Sequence, residues 1–136
     1  MSSTLGELSK KRASTKGQVT LQIKYLAPLL ELRGRDAVKR SNEVKDLHAK
    51  LVDKVSIFRS AHEQYTEQLV SETEEKELEK TLVTLQEYYN EVDIKFYDTS
   101  KKFDVFNTEC EILELKDDLE SLIAGDFVIA KGKRQN

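Results

Sequence analysis

Eleven positions from Leu78 to Leu113 recur at alternating intervals of four and three: Leu78, Leu82, Leu85, Tyr89, Val92, Phe96, Thr99, Phe103, Phe106, Cys110 and Leu113. Ten of them are apolar. A period near 3.5 matches a helix with one narrow apolar face, and such a face must lie against another helix. The chain is therefore committed to helix–helix packing. After Leu113 the pattern changes phase to Ile112, Leu115, Leu119 and Ile123, and Gly125 follows as an expected stop. Upstream, Ser71 and Glu74 have the spacing of a capping box, which predicts a helix over about 72–124.

A second seam precedes the first. Val44, Leu47, Leu51, Val55, Phe58, His62, Tyr65 and Leu69 predict a helix over about 36–70, with Asp36 as its cap and Gly34 as the stop of what comes before. The two seams match if the segments fold into a long antiparallel hairpin, a coiled coil turning around "LVSETEE". One continuous helix is the alternative, but it would expose both stripes unless it dimerised along its whole length.

The opening segment is less regular. Leu5, Leu8, Arg12, Thr15, Val19, Gln22, Leu26 and Leu29 keep the spacing over a predicted helix of about 4–32, yet three of the eight positions are polar. Gly17 lies off this seam and costs roughly 1 kcal/mol relative to Ala within a helix. Pro28 is expected to kink or restart the segment, because it lacks a backbone donor and crowds the preceding turn. The fold class predicted is all-α: the hairpin, with a shorter, kinked first helix packed against it. Residues 1–125 form one helical domain and 126–136 a basic tail.

Composition agrees with a thin core. Apolar residues make up 38% and charged residues 35%, against about 45–50% and 25% in compact globular chains. Charge is also segregated. Residues 1–40 carry nine Lys or Arg against three acids, whereas 71–125 carry six against sixteen. These segments are expected to fold against each other or against a neighbouring chain, with charge giving direction more than affinity. The lone Cys110 leaves no internal disulfide, in keeping with a reducing, cytoplasmic compartment. No apolar run reaches the roughly 18 residues of a membrane span, and "MSSTLGELSKKR" has neither a signal-peptide core nor a myristoylation glycine.

Catalytic motifs are not evident. His48 and His62 are fourteen residues apart on one helix, about 21 Å along its axis, too far to share a metal or a proton. Both read as seam-edge packing. Cys110, on the seam, reads as a small hydrophobe rather than a redox group. The sequence has no phosphate loop, zinc-spaced Cys/His cluster or nucleophile elbow, so neither cofactor nor small-molecule substrate is expected. The candidate interaction residues are Lys10, Lys11, Arg12, Lys16 and Lys24, in and beside "KKRASTK". They suit the acidic third segment, and less well phosphates of nucleic acid or an anionic membrane, since no aromatic is interleaved with them.

The leading "LSKKRASTKGQVTLQIKYLAPLLE", the helix "NEVKDLHAKLVDKVSIF" and the return "EEKELEKTLVTLQEYYNEVDIKFYDTSKKFD" together resemble the amino-terminal region of Gag-like polyproteins of BEL/Pao retrotransposons. That family opens with a motif of the form K-R-x-x-x-K-G-x-hydroxyl/hydrophobic-T, matched here by Lys11, Arg12, Lys16, Gly17, Gln18, Val19 and Thr20. The resemblance covers about residues 5–107. It implies a structural protein of a retroelement particle, a non-enzymatic module for protein–protein assembly. The family's downstream zinc knuckles and aspartic protease have no counterpart, which implies a polyprotein fragment, a truncated element or a host-retained remnant. The alternatives from the residues themselves are a stand-alone cytosolic adaptor or chaperone-like protein, and a nucleic-acid binder using the basic first helix. At Arg12 the seam position itself predicts a register-fixing polar group, so that Arg12→Leu would raise the melting temperature and loosen oligomer specificity.

Overall fold

The computed structural model describes residues 4–135, and the surroundings of side chains for residues 4–125. The chain is all-α among the described residues, with three helices: α1 (Leu5–Leu30), α2 (Gly34–Glu72) and α3 (Glu75–Gln135). Cross-helix pairs fix their directions. Gln22 meets Leu47 and Lys11 meets Gln64, so α1 and α2 are antiparallel. Arg59 meets Asp93 and His48 meets Ser100, so α3 reverses again. Lys16 meets Glu91, consistent with α1 running parallel to α3.

All three seams face inward. Leu8, Val19, Gln22 and Leu26 of α1 are buried, as are Val44, Leu51, Val55, Phe58 and His62 of α2 and Leu85, Val92, Thr99, Phe106 and Cys110 of α3. The intervening seam residues Tyr89, Phe96 and Phe103 are half-buried. Leu82 departs from the pattern and is 47% exposed. Small residues let the helices approach: Ala37, Ser41 and Ala61 of α2 are buried beside its seam. The polar members of the α1 seam are also accommodated. Gln22 Nε2 donates to the Leu47 carbonyl at 3.0 Å, and Thr15 Oγ1 donates to the Arg12 carbonyl at 2.9 Å.

The helix ends differ from the sequence expectations, for local reasons. Thr4 caps α1 by accepting the Glu7 N–H at 3.2 Å. Pro28 lies in the last turn of α1, which ends at Leu30; the chain neither restarts there nor carries a helix to 32. Arg33 Nη1 donates to the carbonyls of Leu30 and Leu32, both at 2.8 Å, satisfying an acceptor that the ended helix leaves free at Leu30 and one in the linker at Leu32. Gly34, at φ +64°, opens α2 rather than stopping α1, and Asp36 sits in the first turn instead of capping it. Its carboxylate there complements the positive end of the helix.

At the second turn the capping box does not form. Ser71 belongs to the last turn of α2 and donates to the Gln68 carbonyl at 2.7 Å. Thr73 Oγ1 donates to the Leu69 carbonyl, and the turn is only Thr73–Glu74. Nor does Gly125 stop α3, which continues to Gln135 without positive φ at that glycine. The expected tail 126–136 is thus helical as far as Gln135, while its basic side chains lie outside the described residues.

The linker between α1 and α2 lies beside Glu109, which approaches Arg33 at 3.5 Å. Beyond this level α3 projects past its partners. Every residue from Glu114 to Gly125 is exposed. The projection from residue 114 to 135 is about 33 Å long at 1.5 Å per residue.

A Cβ at Gly17 would meet nothing within 4 Å, and its φ is not positive. The position therefore carries the helix-propensity cost of glycine with no steric return. Gly17→Ala is expected to stabilise the chain by about 1 kcal/mol in urea unfolding; a neutral or destabilising result would show that the residue serves a contact not formed within one chain.

Candidate interaction site

The five basic candidates do not act as one patch. Arg12 is half-buried on α1, and its guanidinium lies between two rings, 3.9 Å from the centroid of Tyr65 on α2 and 3.7 Å from that of Tyr88 on α3. One side chain thus joins all three helices. Planarity matters, because a guanidinium can stack on two faces at once where an ammonium cannot. Lys16, one turn on, lies 4.4 Å from the Tyr88 centroid and 2.9 Å from Glu91 Oε2. Its hydrogen bond and, secondarily, its charge hold the Glu91 carboxyl below the usual range.

The remaining three are turned outward. Lys10, Lys11 and Lys24 are exposed. Lys11 reaches Gln64 Oε1 at 3.4 Å, a weak contact, and Lys24 edges a shallow groove with Lys16, Gly17, Leu21 and Tyr88. None of these three is ion-paired among the described residues.

Aromatic stacking extends from Arg12 into the core. His62 lies between Phe58 and the Tyr88 and Tyr89 rings, with centroid distances of 5.8, 6.1 and 5.4 Å. Its Nδ1 is buried without a protein partner, as is Arg12 Nε. Burial, and secondarily the positive charge of Arg12, lowers the His62 pKa. His48 stacks on Phe103 at 3.9 Å with nearly parallel planes and faces Ser100 Oγ at 3.2 Å. Burial lowers its pKa too, against a smaller opposing pull from Asp104. Burial likewise raises the Cys110 thiol. These groups are arranged for packing as neutral species. No group of three or more His, Cys, Asp or Glu suited to hold a metal occurs among the described residues.

A second surface escaped the sequence reading. Ile94, Tyr97, Val105, Ile112, Leu115, Leu119 and Leu122 are between 54% and 68% exposed. At 100° per residue they fall within an arc of about 100°, opposite the buried Val92, Thr99, Phe106 and Cys110. The phase change after Leu113 was its visible end. The same 3–4 spacing runs back through Val105, but Lys101 and Thr108 interrupt it and the stronger inner seam overlies it. Tyr88 also went unnoticed, since nothing along one helix indicates which charge on another will stack on it.

Two expectations follow from the Arg12 layer. Arg12→Leu should destabilise the fold by about 1–2 kcal/mol, because two cation–π contacts outweigh one unpartnered Nε; this reverses the sign that its seam position alone predicts. Acidification should also act through the histidines. With folded-state pKa values below the ordinary 6.5, both are neutral in folded and unfolded chains above that pH. Below it the unfolded chain binds more protons and stability falls. The melting temperature should be level from pH 8 to 7 and decline from about 6.5 to 5, with the decline lost in His48→Gln/His62→Gln. A profile equally steep in that variant would exclude the histidines as its source.

No protein-family model, curated protein or solved structure matches the chain.

Proposed function

We propose that the chain is a non-enzymatic helical assembly module, in which α1 and α2 brace α3 and the outer face of α3 receives another protein. The supporting observation is the doubly apolar α3: one stripe is covered by the chain's own helices, and the other, from Ile94 to Leu122, is not. Large exposed apolar patches mark protein or membrane interaction sites. A polypeptide partner suits the mixture of aliphatic residues with flanking Glu111 and Lys116 better than a small molecule does. A lipid bilayer suits it less, given the acidic residues Glu114, Asp117, Asp118 and Glu120 along the projection. No helix among the described residues is long and apolar enough to cross a membrane.

The resemblance to BEL/Pao Gag-like proteins is compatible with this role, and a particle-assembly setting in the cytoplasm is part of the proposal. Lys16 is drawn into the bundle and Arg12 is stacked within it, so the basic first helix offers phosphates fewer free charges than its sequence suggests. That weighs against the nucleic-acid reading.

A photo-crosslinking amino acid placed at Leu115 is expected to capture protein in cells, while the same group at Asp53, exposed on α2, captures little. Equal capture at the two positions, or capture of nucleic acid in place of protein, would contradict the assembly role.

A further inference from the structure

We infer that the outer face of α3 pairs with the same face of a second copy, in parallel, over residues 105–122. This rests on the assembly reading above and names the partner for that face. The residues form their own heptad frame, with Val105, Ile112 and Leu119 at one core position and Thr108, Leu115 and Leu122 at the other. In the usual lettering these are a and d. In a parallel coiled coil, β-branched residues at a, here Val105 and Ile112, with Leu at d, here Leu115 and Leu122, favour two strands over three or four; Leu119 at a and Thr108 at d depart from that pattern.

Placement of the bundle leaves this frame free. Phe103, Phe106, Cys110 and Leu113 face the chain's own helices or are partly buried, and they occupy f and b, on the side away from a and d. Two α3 helices can therefore meet along the outer face with each bundle on the far side of its own helix. No intrachain contact needs to break.

Charge distinguishes the two directions. In a parallel pair Glu111 at g lies beside Lys116 at the e position of the other copy, twice by symmetry. Both side chains are exposed. The parallel frame also sets Asp104 near the other copy's Glu109, but Arg33 already approaches that carboxylate in its own chain. In an antiparallel pair over the same residues Glu111 faces Asp118 without compensation, and Lys116 meets Glu109, whose charge Arg33 already shares. Parallel pairing is the better match. Val105, Ile112, Leu115, Leu119 and Leu122 are 54% to 68% exposed, so a symmetric pair buries at most roughly 1,000 Å² in total, the threshold a specific interface must reach. The projection gives a second reason for a partner. Isolated helical segments of this length are marginal in water and are commonly held by packing of an apolar face.

Sedimentation equilibrium of the full chain at tens of micromolar should give twice the monomer mass. Ile112→Asp/Leu115→Asp should give the monomer, with helicity and melting at low concentration unchanged, because both residues are already exposed in one chain. Thr108→Cys tests direction. In the parallel pair the two introduced thiols are adjacent and oxidise to a covalent dimer, whereas antiparallel pairing separates them by about 16 Å along the axis, beyond the reach of a disulfide. The native Cys110 is buried on the opposite side, so unsubstituted chain is the control and should not crosslink. A monomeric wild type, a dimer that survives the double substitution, or Thr108→Cys that pairs with Leu119→Cys in preference to itself would each overturn the inference. A monomer that still captures other proteins at Leu115 would overturn this pairing and leave the assembly role standing.

Discussion

Leu85, Val92, Thr99, Phe106 and Cys110 are the buried line by which α3 is held to the rest of the molecule. A core so narrow has no second layer to compensate for a poor fit. Each level along the axis is settled by the few side chains that meet there, and along α2 the small residues Ala37, Ser41 and Ala61 are buried in the same line as the larger Val44, Leu51, Val55 and Phe58. It also explains the polar positions of α1. Gln22 lies level with a carbonyl of α2 and Arg12 between two rings, so a shift of α1 by one turn would bury both groups without partners. These residues specify register as much as they contribute stability.

The all-helical class and the inward face of each helix were legible because a 3–4 spacing records which residues share a side. What lies across from that side is not recorded. Arg12 read as a polar interruption, and its meaning came from Tyr65 and Tyr88, which lie 53 and 76 residues away in the chain. Helix ends were legible only where the signal was local. Ser71 and Glu74 had the right spacing for a cap, yet the turn formed two residues later, where Thr73 could return its hydroxyl to Leu69. Gly125 read as a stop, but glycine merely permits an ending, and α3 continues through it. The outer stripe was masked by the stronger inner seam and by Lys101 and Thr108 within its own frame.

In the proposed assembly role, these two faces of one helix divide the labour. The inner face determines the fold, and α1 and α2 pack along α3 over more than half its length. The outer face as far as Leu113 is then presented on a braced helix, while the projection beyond it gains order on association. The histidines and the cysteine serve the inner face, where burial keeps them neutral. The opening helix, poorly optimised by itself, makes sense as a brace: Gly17 weakens it, while Arg12 and Lys16 fasten it to α3.

The division between an inner face for folding and an outer face for association can be read directly from amide hydrogen exchange at several protein concentrations. Amides from Leu85 to Cys110 should be protected to the same degree throughout, as expected for contacts made within one chain. Those from Glu114 to Gly125 should exchange quickly in dilute solution and slow as concentration rises. Strong protection of the projection at every concentration, or none at any, would contradict the account.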